Sequence, residues 1–102
     1  MSPSSSASTE ITITHSVGLH ARPSVKLTKL AKTYGCRIAI ATSPDGPWID
    51  AKSVVKVMAL KAPAGTNLFI RAEGERAADA VAALRALVER DFDESVADVK
   101  AG

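Results

Sequence analysis

The run Gly18-Leu19-His20-Ala21-Arg22-Pro23-Ser24 gathers residue types that can hold and pass an anionic group. Gly18 reaches backbone angles closed to other residues, so the chain can bend there. Pro23 lacks an N–H that a first helical turn does not need for internal bonding. From Val25 to Tyr34 there is no Gly or Pro, and Leu27, Leu30, Ala31 and Tyr34 recur at helical spacing. The spacing predicts a helix starting at Ala21, with His20 at its N-cap. The free N–H groups and the dipole of a helix start disfavour imidazolium, so the pKa of His20 is expected to fall. Neutral imidazole is a nucleophile near neutral pH. An anion on it would meet the backbone N–H groups of Ala21 and Arg22. Arg22 adds forked donors that match phosphate oxygens. The bland alternative is a surface histidine before a helix. Histidine is a poor cap beside Ser, Thr, Asp or Asn, so its presence between Gly18 and Arg22 favours chemistry. Neutral nucleophile, anion-binding helix start and adjacent arginine together describe a histidine suited to carry a phosphoryl group.

A second short helix is expected from Ser53 to about Leu60. Serine is a good N-cap, and the cap alone would account for Ser53. The helix carries Val54, Val55, Val57, Met58 and Leu60, more apolar residues than one buried face can take. With Val57 and Leu60 turned to the core, Val54, Val55 and Met58 form an exposed apolar patch. Methionine suits a surface that must fit several partners.

Before Gly18, Glu10 to His15 alternates as a half-buried strand with Ile11 and Ile13 on one side. The first helix runs to Tyr34 and is stopped by Gly35. Its Lys26, Lys29 and Lys32 form a solvated stripe that can also steer acidic partners. Arg37 to Thr42 is the second strand, with Ile38 and Ile40 inward. Ser43-Pro44-Asp45-Gly46-Pro47 is a turn, and Trp48 to Ala51 an antiparallel third strand closed by a packing Trp48. Asn67 to Ala72 is the fourth strand. The last helix, from Glu75 to about Arg90, carries the stripe Ala77, Ala80, Val81, Leu84, Leu87 and Val88. The order βαββαβα points to a two-layer α+β domain. Residues 1–9 and 93–102 are expected to be flexible tails around a domain of residues 10–92.

With 102 residues this is one domain, and 46% hydrophobic residues can fill a core without disulfides or metals. A formal charge of +2 and no aromatic stacking pair on any strand argue against nucleic-acid binding. The single cysteine, Cys36, allows no intramolecular disulfide and reads as a small buried apolar residue. His15 and His20 match no short metal motif, so no metal or cofactor is expected and His15 reads as solvated. No apolar run is long enough to span a membrane, and the Ser-rich start is not a secretory signal, which points to a cytoplasmic protein.

The segment from Gly18 to Ser24 closely resembles the active-site motif of HPr, the histidine-containing phosphocarrier of the phosphoenolpyruvate-dependent phosphotransferase system. Asp50-Ala51-Lys52-Ser53-Val54-Val55-Lys56-Val57-Met58 is similar to that family's regulatory-serine helix. The similarity continues at Gly65-Thr66 and at Ala72-Glu73-Gly74-Glu75, spanning roughly Glu10 to Phe92. The resemblance implies an open-faced β-sandwich: an antiparallel sheet in order 1-4-2-3 with three helices on one face. It implies that Enzyme I phosphorylates His20 on Nδ1, that the group passes to an Enzyme IIA domain, and that Arg22 stabilises phosphate charge. It implies docking through Val54, Val55 and Met58, and regulation at Ser53, by an HPr kinase/phosphorylase where one exists. The chain is expected to be a monomeric carrier rather than an enzyme. The competing reading is a regulatory module that binds a kinase, permease or transcription factor, with Ser53 as its switch. Some relatives keep only that role and lack the histidine; this chain has both His20 and Ser53. No residue separates the sugar-transport branch of the family from its nitrogen-regulatory branch.

Overall fold

The computed structural model describes residues 6–14, 18–19 and 21–93. Four strands and three helices follow in the order β1 (Ser6–Thr12), α1 (Ala21–Lys32), β2 (Arg37–Ala41), β3 (Ile49–Asp50), α2 (Val54–Ala59), β4 (Asn67–Glu73) and α3 (Ala77–Glu89). A 3-10 turn, Asp91–Asp93, closes the described chain. The strands form one antiparallel sheet in the order β1-β4-β2-β3. The helices cover one face, and the fold is the expected α+β open-faced sandwich.

Alternation builds that covered face. Leu68, Ile70 and Ala72 on β4 are buried, and so are Ile38 and Ile40 on β2. The register sets Ile38 opposite Ala72 and Ile40 opposite Ile70, so apolar side chains meet in pairs across the ladder. The six expected residues of α3, from Ala77 to Val88, are all buried. Leu27 and Ala31 of α1 and Val57 of α2 complete a core in which each is 0% exposed. Cys36 is buried too, with its Cβ close to where a side chain on Gly74 would stand.

Several boundaries differ from expectation. β1 starts at Ser6, not Glu10, so residues 6–9 of the expected tail are strand. They pair with β4 from Ser6 opposite Glu73 to Thr9 opposite Ile70, and Arg85 Nη1 donates to Thr9 Oγ1 at 2.7 Å. Backbone pairing needs no large apolar side chain, which is why Ser-Ala-Ser-Thr gave no strand signal. The strand ends at Thr12; Ile13 is fully buried and bonds instead to the Gly65–Thr66 backbone. α1 ends at Lys32, and Thr33 and Tyr34 follow in a tightened turn bonded to the carbonyls of Leu30 and Ala31. Gly35 is not in the left-handed region, so no glycine cap makes that stop. β2 stops at Ala41 and β3 shrinks to Ile49–Asp50, with the ladder prolonged only by Ala51 N–H to Ile38 O at 3.0 Å. Trp48 lies under the Arg71 guanidinium, 4.1 Å from its ring centroid.

α3 starts at Ala77, leaving Glu75 outside it. Gly74 and Arg76 both have positive φ, 120° and 62°, so the turn consumes residues that the sequence assigned to the helix. Arg76 is held there by Asp79 at 3.2 Å and by the Tyr34 ring, and Asp79 is the acid of the first turn. The expected tail regions 1–5 and 94–102 lie outside the described residues, as does His15.

Candidate functional site at the start of the first helix

The chain enters α1 through a backbone clamp. Gly18 has φ 68°, and a Cβ there would lie 2.2 Å from Ala62 O, so only glycine fits. The next N–H, of Leu19, donates to that same Ala62 carbonyl at 2.8 Å. Upstream, Ile13 N–H donates to Thr66 O at 2.8 Å and Gly65 N–H donates to Ile13 O at 2.7 Å. One connection, residues 60–66 between α2 and β4, thus holds the segment at both ends. Leu19 is 3% exposed and joins the core.

α1 begins at Ala21, as expected. Ala21 and Arg22 are exposed, whereas Pro23 and Ser24 are buried. The first turn carries no acid, so no carboxylate competes for its field. His20 itself lies outside the described residues, between Leu19 and Ala21 in the chain.

Ser53 caps α2 from an extended conformation (φ −106°, ψ 110°), and its hydroxyl accepts from Lys56 N–H at 3.3 Å. Val57 is fully buried and Leu60 packs against the core, so the inward pair is as expected. The outward set needs one correction. Val55 is 74% and Met58 40% exposed, but Val54 is half-buried, because one residue past the cap it still faces the body of the domain. Val25 on α1, 42% exposed, was missed. The signal was available: it sits off the Leu27–Ala31 stripe. Among the described residues the large exposed apolar side chains are therefore Val25, Val55 and Met58, all on α1 and α2, which pack against each other. Lys29, Lys32, Lys56 and Lys61 are exposed on the same helices and the turn after α2, and Lys26 is half-buried. Lys52 reaches back from ahead of α2 to donate to Tyr34 O at 2.7 Å.

A groove of 540 Å³ opens elsewhere, over β2 and β3, lined by Arg37, Trp48, Asp50, Lys52 and Arg71 among others. Its lining takes in neither the start of α1 nor the exposed apolar residues. Among the described residues no helix is long and apolar enough to cross a membrane.

Comparison with known proteins agrees with this geometry. The family profile described as "PTS HPr component phosphorylation site" matches residues 7–90. The phosphocarrier protein HPr of Pseudomonas aeruginosa is 41% identical over 85 residues, 83% of this chain and 93% of that protein. The phosphocarrier protein NPr of Klebsiella oxytoca is 32% identical over 84 residues, 82% of this chain and 92% of that one. A crystal structure of HPr from Thermoanaerobacter tengcongensis superposes with a TM-score of 0.80 at 30% identity, covering 87% of this chain and 98% of that chain. The chain belongs to the HPr family of phosphocarrier proteins of the phosphotransferase system.

Proposed function

We propose that His20 accepts a phosphoryl group from phosphoenolpyruvate-dependent Enzyme I and passes it to an Enzyme IIA domain. The observation that carries this reading is the start of α1: an acid-free first turn with Ala21 and Arg22 exposed, entered through a clamped Gly18–Leu19 segment. On acceptance the imidazole nitrogen forms a bond to phosphorus as the bond to the Enzyme I donor breaks, and the donor leaves with that electron pair. On release the Enzyme IIA acceptor forms the new bond to phosphorus as the P–N bond breaks, and its electron pair returns to the imidazole. Arg22 and the N–H groups of the first turn stabilise the charge on the phosphoryl oxygens. That stabilisation must stay moderate, since a carrier that held its group tightly would not release it. Partners dock on Val25, Val55 and Met58, with Val54 at the margin. Catalysis beyond acceptance and release belongs to those partners.

Ser53 serves as a regulatory phosphorylation site in this reading. A phosphoserine brings about −1.5 to −2 charges beside the apolar docking residues, which a partner would have to desolvate or oppose with its own acids. The domain spans residues 10–92 together with the strand residues before them.

The test is incubation with phosphoenolpyruvate and purified Enzyme I of the sugar and nitrogen branches, followed by intact-mass measurement. The expected outcome is one acid-labile phosphoryl group, lost in His20→Ala and kept in His15→Ala. Full labelling of His20→Ala would sink the assignment.

A further inference from the structure

We infer that Ser24 is a positioning residue for phosphoryl acceptance; the inference rests on the reading of His20 above. Ser24 is 0% exposed, on the first turn of α1. A hydroxyl in such a place needs a partner, because burying it unbonded is costly. Its partner is Leu19 O, to which Ser24 Oγ donates at 3.3 Å, five residues back along the chain. Leu19 stands two residues before α1, so its carbonyl lies outside the helical ladder, and Pro23, four positions on, has no N–H to offer it. The side chain of Ser24 supplies the donor the proline lacks.

Thr28 is the contrast. It is the other buried polar side chain among the described residues, and its hydroxyl bonds to Val25 O three residues back. That is a bond within the helix and ties α1 to nothing else. The bond from Ser24 leaves the helix and holds the segment that enters it.

Leu19 is therefore fixed through both of its backbone polar groups. Its N–H is held by Ala62 O and its carbonyl by Ser24 Oγ. A peptide unit is planar, so fixing the carbonyl fixes the direction in which the chain leaves Leu19. The residue it leaves towards is His20. In-line transfer depends on the acceptor standing in a narrow range of positions, and small displacements cost rate steeply. Ser24 touches neither phosphate nor ring; it acts through Leu19.

Ser24→Ala and Ser24→Thr are to be made in the full chain and assayed with phosphoenolpyruvate and Enzyme I. Labelling of the wild type on His20 comes first; its absence overturns the reading of function and this inference with it. With labelling established, Ser24→Ala is expected to lower kcat for acceptance about three- to tenfold, the rate equivalent of one net hydrogen bond. KM for the carrier should stay unchanged, because Val25, Val55 and Met58 are untouched. The titration of the His20 ring, followed by NMR on unphosphorylated protein, should move. Ser24→Thr keeps the hydroxyl and should recover most of the rate. If Ser24→Ala does not fold, Ser24→Cys, of similar volume and with only a weak donor, is read in its place. Wild-type kcat with an unmoved titration curve, or a loss confined to KM, would overturn the inference while leaving His20 as the acceptor.

Discussion

Replacing Gly18 by alanine tests the clamp at its tightest point. The new Cβ would stand 2.2 Å from Ala62 O and 2.7 Å from Pro63 Cα, both backbone atoms that no rotamer change can move aside. The residue would also have to hold φ 68°, which costs an L-amino acid about 1–2 kcal/mol. If the chain shifts to relieve the contact, the 2.8 Å bond from Leu19 N–H to the same oxygen goes with it, a further loss of about 1–3 kcal/mol for groups left unsatisfied. The sum is about 2–5 kcal/mol against a typical domain stability of about 5–15 kcal/mol, so most molecules stay folded at 25 °C. At about 4–8 °C per kcal/mol for a domain of this size, the melting temperature should fall by at least ~8 °C. Gly35 is the control, since a Cβ there meets nothing within 4 Å and its φ is unstrained. Gly35→Ala should change stability by no more than ~0.5 kcal/mol. Thermal melting and the initial rate of phosphorylation by Enzyme I are measured on the same preparations. Gly18→Ala is expected to lose both stability and rate. A Gly18→Ala protein as stable and as fast as Gly35→Ala would refute the clamp.

Arg22→Lys keeps the charge but loses the fork, so transfer should slow while melting stays put, because Arg22 is exposed; unchanged transfer kinetics with normal docking would make the arginine a bystander. Ser53→Asp keeps a capping oxygen at the start of α2, so melting should barely change while phosphorylation of His20 slows. A docking loss of ~1.4 kcal/mol already weakens binding about tenfold, and Asp carries less charge than phosphoserine, so the mimic understates the effect. An unaltered rate with genuine phosphoserine would remove Ser53 as a switch, and a large loss of stability would refute the tolerated-cap argument.

Side-chain periodicity made most of the fold legible. Ile38, Ile40, Leu68 and Ile70 alternate, and the α3 stripe repeats at helical spacing, so those elements could be read without knowing their neighbours. What escaped was set by the backbone. β1 over Ser6–Thr9 is made by pairing to β4, and small polar residues carry no mark of it. The late start of α3 goes with a left-handed Arg76, whose guanidinium meets the Tyr34 ring from far along the chain as well as Asp79 three residues on. The site divides the same way. Arg22, Val55 and Met58 could be picked by type and spacing, whereas type and spacing marked Ser53 only as a cap and its regulatory role rested on the resemblance. The clamp could not, because its central group is the carbonyl of Ala62, and any residue there would present the same oxygen. The hydroxyl of Ser24 was visible, but its partner became evident only once Leu19 was placed five residues behind it.

That carbonyl also bears on how a charge at Ser53 would act. Ser53 and Ala62 lie at opposite ends of one unit, separated by α2, six helical residues that rise about 9 Å in all. The turn after α2 is closed by Leu60 N–H to Val57 O and Lys61 N–H to Met58 O, at 3.2 and 3.1 Å, with Lys61 at φ 51°. None of these bonds uses Ser53, whose hydroxyl accepts from Lys56 N–H, whose carbonyl accepts from Val57 N–H and whose own N–H donates to Asp50 O. A phosphoryl group on Ser53 Oγ would therefore disturb the cap without loosening the grip on Gly18 and Leu19. What it would change is the electrostatic surroundings of the exposed Val55 and Met58, which the proposed reading assigns to docking. In the proposed reading the two phosphorylations thus meet at the docking surface. On that reading a charge on Ser53 would lower the frequency with which Enzyme I seats, and would leave intact the bonds that hold Gly18 and Leu19.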